Sequence, residues 1–181
     1  MCILYLITWY NLLGSDFMTL KEKYKIYDDD YYKCVSDLLE NDLVKKMDYF
    51  IQHGITTTLK HSIDVSYKSY KIAKKMDLDY VAAARAGLLH DFYLYDWHDL
   101  GKEKSLFKKH GYTHSTTALV NAKDNFKLSE KEENIILSHM WPLNLTKIPK
   151  YKESMLVCMV DKYISTKETV NPYLKVIKNY S

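Results

Sequence analysis

The sequence predicts an all-α fold, a compact bundle of about six to seven helices. Apolar side chains recur at intervals of three and four residues along nearly the whole chain, which places them on one face of successive helices. The 181 residues include only five glycines and three prolines, so few positions interrupt a helix. This length suits one domain with one apolar core. We assign residues 18–181 to a single helical domain with its core at 53–170, and residues 1–17 to an N-terminal extension whose role the sequence does not define.

The first two predicted helices are amphipathic. The apolar face of the first consists of Tyr32, Val35, Leu38 and Leu39. The second begins near Thr57 or Thr58 and ends at the acidic segment from Asp77 to Asp79. His61 lies at the start of its apolar stripe, so this histidine is predicted to face the interior.

The third helix is predicted from about Tyr80 to Tyr95. Small residues on its buried face permit close helix packing, and a histidine follows them on that face: Ala83, Ala86, Gly87 and His90. A polar loop is then predicted from His98 to Gly111, followed by a helix from about His114 to Phe126.

Two further helices complete the predicted bundle. Ser129 and Glu132 form a capping box at the start of one, and Pro142 requires it to end near Trp141. His139 lies on the apolar face of this helix. The last helix is predicted from about Tyr151 to Thr166, with Asp161 at a core position.

Composition excludes several classes of protein. The formal net charge is only +3 and the lysines are dispersed among acidic residues, so no footprint for long nucleic acid is visible. Cys2, Cys34 and Cys158 are too far apart for a paired metal motif and odd in number, which favours a reducing cytoplasm. The apolar segment from Met1 to Leu13 is too short to span a bilayer and lacks the features of a signal peptide. We therefore expect a cytoplasmic monomer or homodimer that does not bind membranes.

A cluster of histidines and aspartates indicates metal chemistry. All seven histidines lie between His53 and His139, and four of them join two aspartates on helices that should face a shared core. A buried carboxylate costs several kcal/mol unless it is paired or binds a metal, so Asp91 and Asp161 need partners. Consecutive helical residues point about 100° apart, which lets one member of the His90–Asp91 pair bind a single metal while the other bridges two. The predicted metal ligands are His61, His90, Asp91, His114, His139 and Asp161.

The segments around these residues resemble the HD-domain superfamily, whose pattern is His, then His-Asp, then a distant Asp, with extra histidines in the two-metal branch. They read KHSIDVSYKSYKIA, RAGLLHDFYLYDWH, HGYTHSTTALVNA, IILSHMWPL and VCMVDKYIST. The QHG segment and LLHDFYLYDWH are similar to small bacterial members of that superfamily. The resemblance implies one metal at His61, His90, Asp91 and Asp161. It implies a second at Asp91, His114 and His139.

The same resemblance implies a phosphohydrolase in which a metal-activated water attacks a phosphoester, with His90 and Asp91 as catalytic residues. Mixed imidazole and carboxylate ligands suit transition metals, of which iron or manganese is preferred by resemblance and nickel, cobalt or zinc also fits. The expected substrate is a small phosphorylated molecule such as a nucleotide. Leu94 stands where signalling phosphodiesterases often carry lysine, so cyclic dinucleotides are less favoured. Candidates to meet substrate charge are Arg85, His53, His98, Lys102, His110 and Lys162.

Three alternatives remain open from the sequence. Some HD proteins with six such ligands resemble di-iron oxygenases, and oxygen uptake would distinguish that activity. A non-catalytic metal or nucleotide sensor would bind its ligand without turnover. A purely structural helical module ranks last, because it leaves Asp91 and Asp161 without a reason to face inward.

Overall fold

A computed structural model of the protein describes residues 19–95 and 104–179, and the side chains of residues 19–95 and 113–170. The described residues form eight α-helices: α1 Leu20–Lys23, α2 Asp29–Leu39, α3 Asp42–Lys46, α4 Thr58–Lys75, α5 Tyr80–Leu89, α6 Lys104–Asn125, α7 Glu130–Ser138 and α8 Lys152–Asn179. A 3-10 turn at Met47–Tyr49 leads into a two-stranded antiparallel sheet, β1 Ile51–His53 and β2 Thr56–Thr57. The predicted all-α fold is confirmed. The helix count exceeds the expected six to seven because α1 and α3 are too short to show helical periodicity.

Local capping explains where the long helices begin. The Thr57 side chain accepts a hydrogen bond from the Lys60 N–H at the start of α4. Ser129 and Glu132 form the predicted capping box at the start of α7, each bonding the other's backbone N–H. Both predicted starts are confirmed, because a cap is a local interaction that the sequence displays directly.

Helix ends were predicted less well. α5 ends at Leu89 and not near Tyr95, because the chain turns at His90 and buries the segment that follows. α7 ends at Ser138, slightly before Trp141. α8 continues to Asn179 and not to Thr166, since a helix can extend beyond the residues whose apolar spacing reveals it.

The predicted loop from His98 to Gly111 is wrong over its second half. α6 begins at Lys104, so both His110 and Gly111 are helical. A glycine inside a helix costs only about 1 kcal/mol relative to alanine, which tertiary packing offsets. Residues 1–17 lie outside the described residues, and the division of the chain into an extension and a single domain stays a prediction.

The core forms where α5 packs among its neighbours. α4 and α5 approach so closely that a Cβ atom at Gly87 would lie 3.0 Å from the Ser66 Cα. The Ser66 hydroxyl donates to the Ala84 carbonyl at 2.6 Å, and Tyr31 of α2 donates to Ser66 at 2.8 Å. α8 packs against α4, α5 and α7, and α6 packs against α7. This arrangement brings the ligand-bearing parts of five helices together in the interior.

Among residues 19–95 and 104–179, no helix has the length and apolar character needed to cross a membrane.

Candidate metal centre

The structure brings the six predicted ligands together in the interior. His61 lies in the first turn of α4, His90 caps the C-terminus of α5 and Asp91 follows it. The other three come from α6, from the C-cap of α7 and from α8: His114, His139 and Asp161. Each of the six is at most 8% exposed. Residues far apart in the chain therefore share one buried site.

The two carboxylate oxygens of Asp91 face different imidazoles. Oδ2 lies 3.2 Å from His90 Nε2 and 3.8 Å from His61 Nε2. Oδ1 lies 3.5 Å from His114 Nε2 and 3.5 Å from His139 Nε2. This is the arrangement expected of a carboxylate that bridges two cations.

Two overlapping sets of ligand atoms could each hold a cation. The first set is His61, His90 and Asp161, and the second is His90, Asp91 and His139; within each set all ligand atoms lie within 4.8 Å of one another. The Asp161 Oδ1 atom is 3.1 Å from His61 Nε2 and 3.6 Å from His90 Nε2. His114 Nε2 lies 2.9 Å from His139 Nε2, so His114 extends the second set. We call these the Asp161 position and the His139 position.

Backbone carbonyls fix the orientation of two rings. His90 Nδ1–H donates to the Gly87 carbonyl at 2.8 Å, and His139 Nδ1–H donates to the Ile136 carbonyl at 2.7 Å. With the proton assigned to Nδ1, the lone pair of Nε2 points into the centre, as metal-binding histidines require. Both histidines are C-caps, where such carbonyls are free of the helix ladder.

Two buried polar atoms show that a cation fits this centre. His90 Nε2 and Asp91 Oδ1 make no hydrogen bond within the described part of the chain. A buried polar atom without a partner costs about 1–3 kcal/mol, and a bound cation would satisfy both atoms. Imidazole nitrogens with carboxylate oxygens are a donor set for divalent transition metals. The residues present therefore fit the metals that the sequence predicts.

The pKa shifts within the cluster also favour a bound cation. Burial raises the pKa of Asp91, but the charge of His90 and the nearby imidazole of His139 outweigh burial and hold it well below its usual range. Burial likewise lowers the pKa of His61, yet Asp161 and Glu168 raise it to about 9. Protons on His61 and His90 thus balance the buried carboxylates. A divalent cation would replace those protons on binding.

Glu168 contacts a predicted ligand, and the sequence reasoning missed it. Its Oε2 atom accepts a hydrogen bond from His61 Nδ1–H at 2.9 Å, and its side chain is only 11% exposed. Glu168 lies seven residues after Asp161 on α8, so the two carboxylates share a helix face two turns apart. That spacing was the available signal, but the prediction ended the helix before it.

Gln52 of β1 is the second missed residue. Its Nε2 atom donates to Asp91 Oδ2 at 2.6 Å, and the Tyr93 hydroxyl donates to its Oε1 atom. Gln52 belongs to the QHG segment, but a lone glutamine carries no metal-ligand signature. Its contact with Asp91 spans 39 residues of sequence and needed the fold to reveal it.

The residues predicted to meet substrate charge lie in different places. The His53 ring centre is 5.6 Å from that of His61, so His53 borders the cluster. Arg85 instead donates to Asp37 at 2.7 Å and to Glu132 at 3.1 Å, and the structure does not bring it to the ligands. Lys162 Nζ donates to the carbonyl of His139 at 2.9 Å. A substrate role for any of the three stays a prediction.

The other three substrate candidates cannot be placed. His98 and Lys102 lie outside the described residues. His110 belongs to α6 by its backbone, but its side chain also lies outside them.

The protein is an all-α bundle in which imidazoles and carboxylates from five helices surround one buried centre. This fold and site place it in the class of helical proteins with a candidate metal centre. Comparison with known families agrees, because the HD domain model matches residues 58–165, which cover more than half of the chain and include all six predicted ligands. The chain belongs to the HD-domain family, whose members bind divalent metals and are generally metal-dependent phosphohydrolases. Neither the curated proteins nor the solved structures contain a match.

Proposed function

We propose that the protein is a metal-dependent phosphohydrolase that cleaves a phosphoester of a nucleotide or of another small phosphorylated molecule. The observation that carries this proposal is Asp91, whose two buried oxygens face separate sets of imidazoles. Membership of the HD-domain family supports the same reaction class. The expected setting is a cytoplasmic monomer or homodimer.

The ligand assignment follows the two positions. His61, His90 and Asp161 with Asp91 Oδ2 would hold one cation, and Asp91 Oδ1 with His114 and His139 would hold the other. Bound divalent cations supply Lewis acidity, which activates a water for attack on phosphorus and neutralises the phosphoryl oxygens. Iron or manganese is preferred, and nickel, cobalt or zinc also suits these ligands.

The chain's own residues set the geometry of the reaction. Asp91 faces both positions, and His90 belongs to both overlapping sets of ligand atoms although we assign it to the Asp161 position, so these two are the proposed catalytic residues. His53 borders the His61 side of the centre and is the best placed of the predicted substrate contacts. Leu94, in place of a lysine, continues to disfavour a cyclic dinucleotide.

Metal content tests the proposal first. Protein purified without chelator should carry about two transition-metal ions per chain, and an Asp91→Ala variant should lose them. Asp124→Ala removes an exposed aspartate of α6 and should retain both ions. One ion per chain would remove His114 and His139 from the ligand set. No ion after reconstitution with iron, manganese, nickel and zinc would contradict the metal centre itself.

Activity assays distinguish the reaction class. The metal-loaded protein should release phosphate or alcohol from a panel of phosphoesters without consuming oxygen, and Asp91→Ala should be inactive. Oxygen uptake by the iron-loaded protein would instead indicate a di-iron oxygenase. Tight ligand binding without turnover would indicate a sensor.

A further inference from the structure

The imidazole of His61 lies between two carboxylates. Its Nδ1–H donates to Glu168 Oε2 at 2.9 Å, and its Nε2 atom lies 3.1 Å from Asp161 Oδ1. The ring is fully buried, and the Glu168 side chain is 11% exposed. The contact with Glu168 therefore determines which nitrogen of His61 faces the centre.

His61 needs this distant partner because of its position in α4. His90 and His139 are helix C-caps and use the carbonyl three residues earlier as acceptor. His61 is in the first turn of its helix, where the preceding carbonyls are engaged by the helix ladder. Its acceptor is instead a side chain 107 residues away. A carboxylate raises the basicity of the ligand ring more than a neutral carbonyl does.

Among the described side chains, the two metal positions consequently differ in negative charge. The Asp161 position has Asp161 itself, the Glu168 carboxylate behind His61, and Asp91 Oδ2. Within the side chains that the structure describes, Asp91 Oδ1 is the one carboxylate oxygen within ion-pair distance of His114 and His139. A divalent cation is attracted more strongly where more negative charge surrounds it.

We infer that Glu168 is a positioning residue that orients His61 and makes the Asp161 position the tighter of the two metal positions. The two cations then bind in sequence, the Asp161 position first. This inference rests on the proposed metal centre and adds to it an order of loading and a residue that sets that order.

A manganese titration of the chelator-treated full-length protein tests the inference without an activity assay. Free Mn²⁺, counted by electron paramagnetic resonance, should reveal a tight and a weak class of site in the wild type. Glu168→Gln keeps the shape and an acceptor oxygen but removes the charge. It should weaken the tight class by about 10- to 100-fold and leave the weak class unchanged.

A matched control separates positioning from simple stabilisation. Glu153→Gln is the same substitution on the same helix, at a buried glutamate that accepts from Lys131 and from the Asp79 N–H. It should lower the melting temperature of the metal-free protein and leave both Mn²⁺ classes unchanged. The melting temperature of Glu168→Gln, measured alongside, reports whether that variant is folded.

A double-mutant cycle tests whether Glu168 acts through His61. In a His61→Ala background, Glu168→Gln should have no additional effect on Mn²⁺ binding. A single class of two equal sites in the wild type would overturn the inference, as would a Glu168→Gln variant that binds like the wild type or loses both classes equally. A wild type that binds no metal would instead overturn the proposed function.

Discussion

Three ligand rings, those of His61, His90 and His139, each donate a hydrogen bond from the nitrogen that points away from the centre. Glu168 holds His61, and backbone carbonyls hold His90 and His139. Asp91 is held by the Gln52 amide, whose orientation follows from the Tyr93 hydroxyl on its oxygen. Such contacts fix the ligand atoms before a cation arrives, which raises metal affinity.

Removing the amide behind Asp91 should weaken metal binding. Gln52→Ala leaves Asp91 Oδ2 without its 2.6 Å donor, so we expect Mn²⁺ affinity to fall by about tenfold or more. Calorimetric titration measures the change. Asn125→Ala removes an exposed amide of α6 and serves as the control. Equal affinity in the two variants would show that Gln52 does not support Asp91.

At the scale of elements, the close approach of α4 and α5 positions the His-Asp pair. Gly87 faces the Ser66 backbone, and the Gly87 carbonyl accepts the hydrogen bond from His90. The absence of a side chain at Gly87 thus permits the helix contact, and its carbonyl orients a ligand. A shift of α5 would displace both His90 and Asp91.

A larger side chain at Gly87 should separate these helices. In Gly87→Val, the new Cβ would lie 3.0 Å from the Ser66 Cα, which side-chain rotation cannot relieve because that atom is backbone. We expect overpacking to cost about 1–3 kcal/mol of unfolding free energy, measured by urea denaturation. Metal affinity should fall in the same variant. A variant as stable as the wild type would contradict the packing described.

A cluster of charged side chains connects the N-terminal ends of α5, α7 and α8. Lys131 of α7 donates to Glu153 of α8 at 3.0 Å and to Asp79, the N-cap of α5, at 3.1 Å. Glu153 also accepts from the Asp79 N–H at 3.0 Å. Burial raises the pKa of Glu153, but its backbone hydrogen bonds and Lys131 outweigh burial and lower it.

This lowered pKa predicts an acid-dependent contribution to stability. Ionised Glu153 stabilises the fold above its ordinary pKa of 4.5, and the contribution is lost as the pH falls through the lowered folded value. Glu153→Gln should therefore cost about 1–3 kcal/mol near pH 7, and the difference from the wild type should shrink in acid. Denaturant unfolding of both proteins near pH 7 and in acid measures this difference in stability. Glu40→Gln, at an exposed site, should show no such change, and a constant difference for Glu153→Gln would contradict the role.

At the scale of the whole molecule, the candidate metal centre joins α4, α5, α6, α7 and α8. Together the two metal positions would take ligands from all five helices, because His90 and Asp91 lie at the end of α5 and each of the other four ligands comes from a different helix. Binding to the folded state alone raises stability by mass action, by about 2.7 kcal/mol at 100 times the dissociation constant.

Metal removal should therefore destabilise the protein. Chelator treatment should lower the melting temperature of the metal-loaded wild type, and excess Mn²⁺ should restore it. The Asp91→Ala variant should melt at the same temperature with and without chelator, since it has lost the bridging ligand. If chelator treatment left the melting temperature of the wild type unchanged, this would show that no cation links these helices.

Sequence alone determined the helical class and the capped starts of α4 and α7, and it predicted the six residues that meet at the candidate centre. These features are local or repeat along the chain. Caps involve neighbouring residues, apolar spacing marks each buried helix face, and His90 with Asp91 forms a motif that draws attention to the other histidines.

Only the tertiary structure decided the ends of α5 and α8, the helical state of Gly111, and the contacts of Gln52 and Glu168. Each depends on residues distant in the chain. Glu168 meets His61 across 107 residues and Gln52 meets Asp91 across 39, so the sequence does not show which residues pair. Burial then gives these contacts their strength, because removing water increases the energy of every charge and hydrogen bond around the centre.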